Sequence, residues 1–183
     1  MNAVLKDILP KFPRVLHAGA GGSKVPEPYF PGFEEVTLDI DGRSNPDMVG
    51  SMVDMSFVPD ETFEAAYTSH TLEHVYPHEV RLCLFNFLRV LKPGGMLMVV
   101  VPNLEGIKAT EDVVYMSNSG PISGLDMIYG HHALIAESPF MAHKCGFVKE
   151  TLKAAFESVG FAKVEVHADD CFNLNAIAVK AAA

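Results

Sequence analysis

Arg14-Val-Leu-His-Ala-Gly-Ala-Gly-Gly22, followed by Val36-Thr-Leu-Asp39, is the stretch on which the reading of this chain turns. Val15 and Leu16 give a short buried strand. Gly19, Ala20, Gly21 and Gly22 follow with no side chain large enough to hold a ligand off the backbone. About 20 residues later a second strand delivers Asp39 to the same sheet edge, where a carboxylate can accept hydrogen bonds from two ribose hydroxyls. Together they build a nucleoside site. A dinucleotide is the rival ligand, but the third glycine of the Gly-x-Gly-x-x-Gly pattern would fall at position 24, where Lys24 stands. Pro26, Pro28, Pro31 and Gly32 then leave no firm helix N-terminus for a pyrophosphate.

Outward from this pair, Ala65 to Ser69 reads as a third buried strand, entered through the turn Pro59-Asp60-Glu61. A helix opens at Pro77, with Val80, Leu84, Phe87, Leu88 and Leu91 on one face. Lys92-Pro93-Gly94-Gly95 stops it and turns the chain into the apolar strand Met96 to Val101. Leu152, Ala155, Phe156 and Val159 form a second helical stripe, capped by Gly160. Two final strands, Lys163 to Ala168 and Leu174 to Lys180, flank the turn Asp169 to Asn173 and must be antiparallel because that turn is short. The alternation predicts an α/β fold, a doubly wound, mainly parallel sheet with helices on both faces and an antiparallel C-terminal hairpin. Residues 103–148 break the rhythm and read as an inserted lid or substrate-binding segment, with a short helix over Ile122 to Tyr129.

Composition sets the outer bounds. The 183 residues suit a single domain over 1–183. The net charge of −9, with 14 basic residues and no two adjacent, argues against nucleic acid. The longest apolar run, Met96 to Val101, is far short of a bilayer span, so no membrane partner is expected. Lys6 and Asp7 interrupt any N-terminal apolar stretch, so no secretory signal is expected; Cys83, Cys145 and Cys171 are odd in number and widely spaced. A reducing cytoplasm is the compartment these features predict.

Taken in order, the motifs resemble the class I S-adenosylmethionine-dependent methyltransferases, in particular the small-molecule branch called type 11. They are His17-Ala-Gly-Ala-Gly21, Thr37-Leu-Asp39, Val53-Asp54-Met55 with Phe57 and Pro59, Ser69-His70-Thr-Leu-Glu-His74, Arg89-Val-Leu-Lys-Pro-Gly-Gly95, and Cys145-Gly-Phe-Val followed by Gly160-Phe161. The resemblance implies a Rossmann-like sheet of about seven strands, S-adenosylmethionine as cofactor, and methyl transfer to oxygen, nitrogen or carbon of a small or medium-sized organic acceptor. It also implies the site. Gly19, Ala20, Gly21 and Gly22 would approach the methionine part of the cofactor, Asp39 the ribose, and Asp54 with Met55 the adenine, and Ile40 would also contact the cofactor. Ser69 and His70 would line the floor beside the sulfonium. His17 would sit at the amino end, where relatives commonly place an acid or amide. Those relatives also commonly carry N-terminal helices over the active site; with only 13 residues before Arg14, the cover is expected from 103–148.

Histidine is suited to act as a general base at neutral pH, and His74 and His143 are the candidates if the acceptor is a hydroxyl. A purely structural role for Glu73 and His74 at the helix start is the competing reading. His131 and His132 are candidate acceptor contacts. No metal site is expected, since His131, His132, His143 and Cys145 repeat no ligand spacing. A nicotinamide-dependent oxidoreductase and a non-catalytic nucleoside-binding protein are the alternatives. A homodimer is left open.

Overall fold

The computed structural model describes residues 12–117 and 120–183; the segment carrying Lys6 and Asp7 lies outside the described residues. A seven-stranded sheet organises the chain. Its strands are β1 (Arg14–Ala18), β2 (Glu34–Asp39), β3 (Met48–Val49), β4 (Phe63–Ser69), β5 (Leu91–Pro102), β8 (Lys163–Ala168) and β9 (Asn173–Val179). The spatial order is β3-β2-β1-β4-β5-β9-β8. Neighbours from β3 to β5 pair in parallel, whereas β9 pairs antiparallel with both β5 and β8. The mainly parallel sheet with an antiparallel C-terminal pair is the architecture the sequence predicts.

Two long helices, α1 (Pro77–Val90) and α4 (Lys149–Val159), cover one face. Val80, Cys83, Leu84 and Phe87 of α1 join Leu152 and Phe156 of α4 over Leu16, Leu38, Ala66, Leu97 and Val99. This is the period-2 selection expected of buried parallel strands. Helices on both faces were expected, and among the described residues that holds for one face only. On the other, Val15, Ala65, Tyr67, Met98 and Val100 pack under Phe30, with Val25 and Phe33 beside it. The prolines of residues 22–34 forbid a helix there, so irregular chain supplies the apolar cover instead.

Residues 103–148 hold more regular structure than the sequence suggests. A hairpin of β6 (Val113–Ser117) and β7 (Gly120–Ser123) precedes α2 (Gly124–Tyr129) and α3 (His132–Glu137). The short helix expected from Ile122 begins instead at Gly124. Ser123 Oγ accepts the Asp126 N–H while Asp126 accepts the Ser123 N–H, and this reciprocal cap fixes the first turn. Gly94 and Gly95 also behave differently from a simple turn. β5 is already extended from Leu91, and the register against β4 shifts between Phe63 and Ala65 to absorb the extra residues.

Candidate active site

At the carboxyl ends of β1, β2 and β4 the chain opens into a cavity of about 700 Å³, within the range of small-molecule sites. Its position follows the rule for open parallel sheets, whose ligands lie beyond the strand C-termini. Ala18, Gly19 and Gly21 form one wall, Leu38 to Asp41 a second, and Gly50 to Asp54 a third. His70, Thr71, His74, Val75, Tyr76 and Glu79 come from the segment between β4 and α1 and from the start of that helix.

The glycine turn is locked to the second strand. Gly19 N–H donates to Leu38 O at 2.8 Å, and Gly21 N–H donates to Asp39 Oδ2 at 2.8 Å. Gly19 has φ +70, and a Cβ there would stand 2.3 Å from Thr71 Cγ2 and Oγ1, so both backbone conformation and packing demand glycine. Gly21, at φ +53, meets nothing within 4 Å where a Cβ would stand, and so leaves backbone open toward the cavity. Asp39 is 8% exposed. Its Oδ1 accepts the Asp41 N–H at 2.8 Å. Two backbone donors fill about half of a carboxylate's acceptor capacity, leaving the remainder for hydroxyls in the cavity.

The wall from 50 to 58 is held from behind by α1. Asn86 Nδ2 donates to Met52 O at 3.2 Å and Val53 O at 2.9 Å; Arg89 donates to Val58 O at 2.7 Å and Met55 O at 2.6 Å. Asp54 is exposed at the cavity wall, and the Ser56 N–H it accepts holds its carboxyl below the usual range. The pKa of Asp41, two residues beyond Asp39, falls to about 2 because Arg43 pairs with it.

Of the other predicted site residues, Ile40 lines the cavity, whereas Ala20, Gly22, Met55 and Ser69 do not. Met55 is fully buried in the core that joins α1 to the sheet; beside Asp54 it is Met52 and Val53 that reach the cavity. Ser69 instead accepts Thr71 Oγ1 on its carbonyl. His17 is absent from the wall for a reason of strand alternation: it shares the face of Val15, on the side covered by residues 22–34. There it is 1% exposed, with Nδ1 2.8 Å from Glu35 Oε1 and its ring 5.1 Å from Tyr67, and burial lowers its pKa.

His70 adopts φ +49, a sparsely populated conformation for a residue with a side chain. The nearby Glu73 carboxylate, with Oε1 at 3.5 Å from Nδ1, raises its pKa. His74 lies 5.1 Å, ring to ring, from His143, whose pKa is lowered by burial. The backbone joins the two segments: the N–H groups of Lys144 and Cys145 donate to Glu73 O at 2.8 and 3.2 Å.

His131 and His132 stack on one another away from the cavity, and His132 Nδ1 sits 2.8 Å from Asp126 Oδ1. Residues 103–148 instead reach the cavity through Ser138, Phe140, Met141 and Lys144. Lys144 Nζ lies 4.8 Å from the Tyr76 ring centroid. No local pattern marks these residues in the sequence, because long-range hydrogen bonds bring them there.

Residues 16–99 match the family described as Methyltransferase domain. No curated protein matches the chain in sequence. Among solved structures, a methyltransferase of Methanosarcina mazei is 18% identical at TM-score 0.62, covering 100% of this chain and 99% of its own. An S-adenosylmethionine-dependent methyltransferase of Mesorhizobium loti is 16% identical at TM-score 0.66, covering 97% and 96%. The 1,6-didemethyltoxoflavin-N1-methyltransferase of Burkholderia thailandensis, solved with 1,6-didemethyltoxoflavin and S-adenosylhomocysteine, is 16% identical at TM-score 0.58, covering 98% and 76%. Residues 16–99 thus resemble the methyltransferase-domain family, and the chain has the fold of these S-adenosylmethionine-dependent methyltransferases.

Proposed function

We propose that this protein is a methyltransferase that binds S-adenosylmethionine in the cavity beyond β1, β2 and β4 and methylates a small or medium-sized organic acceptor. The observation that carries the reading is Asp39: a carboxylate on the cavity wall, held by two backbone N–H groups, with acceptor capacity remaining for a ribose. Gly21 leaves the backbone open beside it, and Asp54 stands on the adjoining wall to accept from an adenine amine. Lys24 favours this reading over a dinucleotide. It sits where a third glycine would be needed, its ammonium is 2.9 Å from Glu35, and no helix begins between residues 22 and 34.

When bound, the cofactor supplies an electrophilic sulfonium methyl. The residues around it must hold an acceptor nucleophile in line and keep water out. His70 enters the cavity just beyond β4, where its N–H donates to Val100 O at 2.9 Å and its φ of +49 is set by the turn. His74, with His143 behind it, is placed to take a proton from a hydroxyl acceptor. Tyr76, Phe140 and Met141 offer apolar contact for the acceptor body, and Lys144 a positive charge for an acidic substituent. Residues 138–144 thereby act as cover.

Calorimetric titration with S-adenosylmethionine, S-adenosylhomocysteine and NAD is the direct test. Saturable binding of the first two without NAD binding is the expected result; NAD binding with no response to either sulfur compound would refute the reading. Incubation with a labelled methyl donor and metabolite extract then separates an enzyme from a non-catalytic binding protein, since only the enzyme yields a labelled product.

A further inference from the structure

We propose that Glu73, His74 and His143 bind a divalent transition-metal ion beside the cofactor cavity. One ligand atom from each lies within 4.8 Å of the others. The strongest sign is Glu73. It is 1% exposed, and neither carboxylate oxygen has a hydrogen-bond partner. A buried carboxylate with no hydrogen bond is costly, and the ion pair with half-exposed His70 meets that cost only in part. His70 Nδ1, at 3.5 Å from Oε1, is too distant for a good hydrogen bond. A cation drawn against Glu73 removes the cost.

The histidines are already arranged as ligands. His74 Nδ1 lies 3.1 Å from Ala142 O, and His143 Nδ1 lies 3.0 Å from Met127 O. A carbonyl only accepts, so each ring must donate its Nδ1–H and carry its lone pair on Nε2. This second hydrogen bond to backbone is the usual support of a metal-binding imidazole. Cys145 is nearby, but its Sγ is turned toward the carbonyls of Leu72 and Glu73. The donor set is therefore two nitrogens and one oxygen. That set suits Zn²⁺, Fe²⁺ or Co²⁺, whereas Mg²⁺ and Ca²⁺ favour oxygen throughout.

Three protein ligands leave at least one position for an exogenous oxygen, and His74 lies on the cavity wall. Resting on the function proposed above, that position would receive an acceptor hydroxyl. With the metal bound, His74 Nε2 is a ligand and no longer a base: the metal takes over that role by lowering the hydroxyl's pKa, and the proton passes to solvent. The oxygen electron pair then forms the new O–C bond as the C–S bond breaks, leaving a neutral thioether.

The test uses the full chain carrying Cys171→Ser, which removes an exposed thiol, after chelator treatment. Zn²⁺ titrated by calorimetry should bind at one equivalent per chain, and Co²⁺ should give an absorption spectrum without thiolate charge-transfer bands. Glu73→Gln and His143→Gln should each weaken Zn²⁺ binding at least tenfold, while His167→Gln, at an exposed position, should not. Zn²⁺ should raise the Tm of the parent but not of Glu73→Gln, which keeps its fold because the change removes a buried charge. Binding below half an equivalent, or unchanged affinity in both ligand variants, overturns the proposal. Titration of S-adenosylmethionine in chelator distinguishes its failure from failure of the cofactor reading.

Discussion

Asp39→Ala should weaken cofactor binding more than it weakens the fold. In the structure its Oδ2 accepts Gly21 N–H and its Oδ1 accepts Asp41 N–H, both at 2.8 Å. Truncation frees both donors. Gly21 is exposed and water can replace the lost acceptor, so the stability cost is about 1 kcal/mol per bond, roughly 2 kcal/mol together. The ligand loses more. Hydrogen bonds between a carboxylate and ribose hydroxyls are charge-assisted and worth about 1.5 to 3 kcal/mol, which corresponds to a rise of roughly 10- to 150-fold in Kd. Asp39→Asn isolates the charge. Each carboxylate oxygen now faces an N–H, so the new amide NH₂ must oppose one of the two donors, and one bond is lost with the charge. Calorimetric titration with S-adenosylhomocysteine, beside urea unfolding of the same samples, separates the two effects. A folded Asp39→Ala protein whose Kd stays within about threefold of the parent, well under the 1.4 kcal/mol of a tenfold change, would remove Asp39 from the ribose site.

Two further outcomes follow from local geometry. Gly19→Ala places a methyl 2.3 Å from Thr71 and strains a φ of +70; it should cost about 2 to 4 kcal/mol in urea unfolding, against about 1 to 2 for Gly21→Ala, where nothing lies within 4 Å. Equal losses would refute the packing argument. Burial holds His17 below the ordinary histidine range, so the native state takes up this proton less readily than the unfolded chain. Its contribution to stability is complete above about pH 6.5 and declines as pH falls through the lowered native value. His143 is lowered by burial and acts in the same sense, while His70 is raised beside Glu73 and acts oppositely, losing its contribution as pH rises through its native value. His17→Gln retains a donor for Glu35 and removes the titration, so the loss of urea midpoint between about pH 7.5 and pH 5 should become shallower. Identical losses in parent and variant would contradict this.

The parts of the fold legible from sequence are those set by short-range chemistry. Val15 and Leu16 before a glycine turn, the apolar run from Met96, and Pro77 at a helix start each declare themselves within a few residues. The short link between β8 and β9 dictates antiparallel pairing. Residues 103–148 were less legible because Pro121 and Ile122 complete a hairpin before α2 begins. Ser123-Gly-Leu-Asp126 was the available signal, since a serine followed three residues later by an acid marks a helix start. Met55 illustrates the other limit. Its neighbour Asp54 reaches the cavity while Met55 turns into the core, a distinction set by the carbonyl contacts that Asn86 and Arg89 make from α1. Likewise Glu73 and His143 are far apart in sequence, and their approach depends on the bonds from Lys144 and Cys145 to Glu73 O.

His17 connects the unusual features of the N-terminal half. A chain that follows its glycine turn with prolines has no helix dipole or helical hydrogen-bond ladder to fix the turn. Here β2 supplies the restraint through one polar face. Glu35, Thr37 and Asp39 alternate onto the same side of that strand. Asp39 holds Gly21 N–H, while Glu35 accepts Val25 N–H at 3.0 Å, contacts His17 at 2.8 Å and pairs with Lys24 at 2.9 Å. Thr37, between them, is held by Asp47, which accepts its N–H at 2.8 Å. The ends of the turn are therefore fixed by two carboxylates, one facing the cavity and the other the packed underside of the sheet. On this arrangement His17 is an anchor of the turn, since it is buried against Tyr67 and keeps Glu35 where Val25 and Lys24 can reach it. The buried histidine at position 17 and the prolines of residues 22–34 become parts of one structural solution.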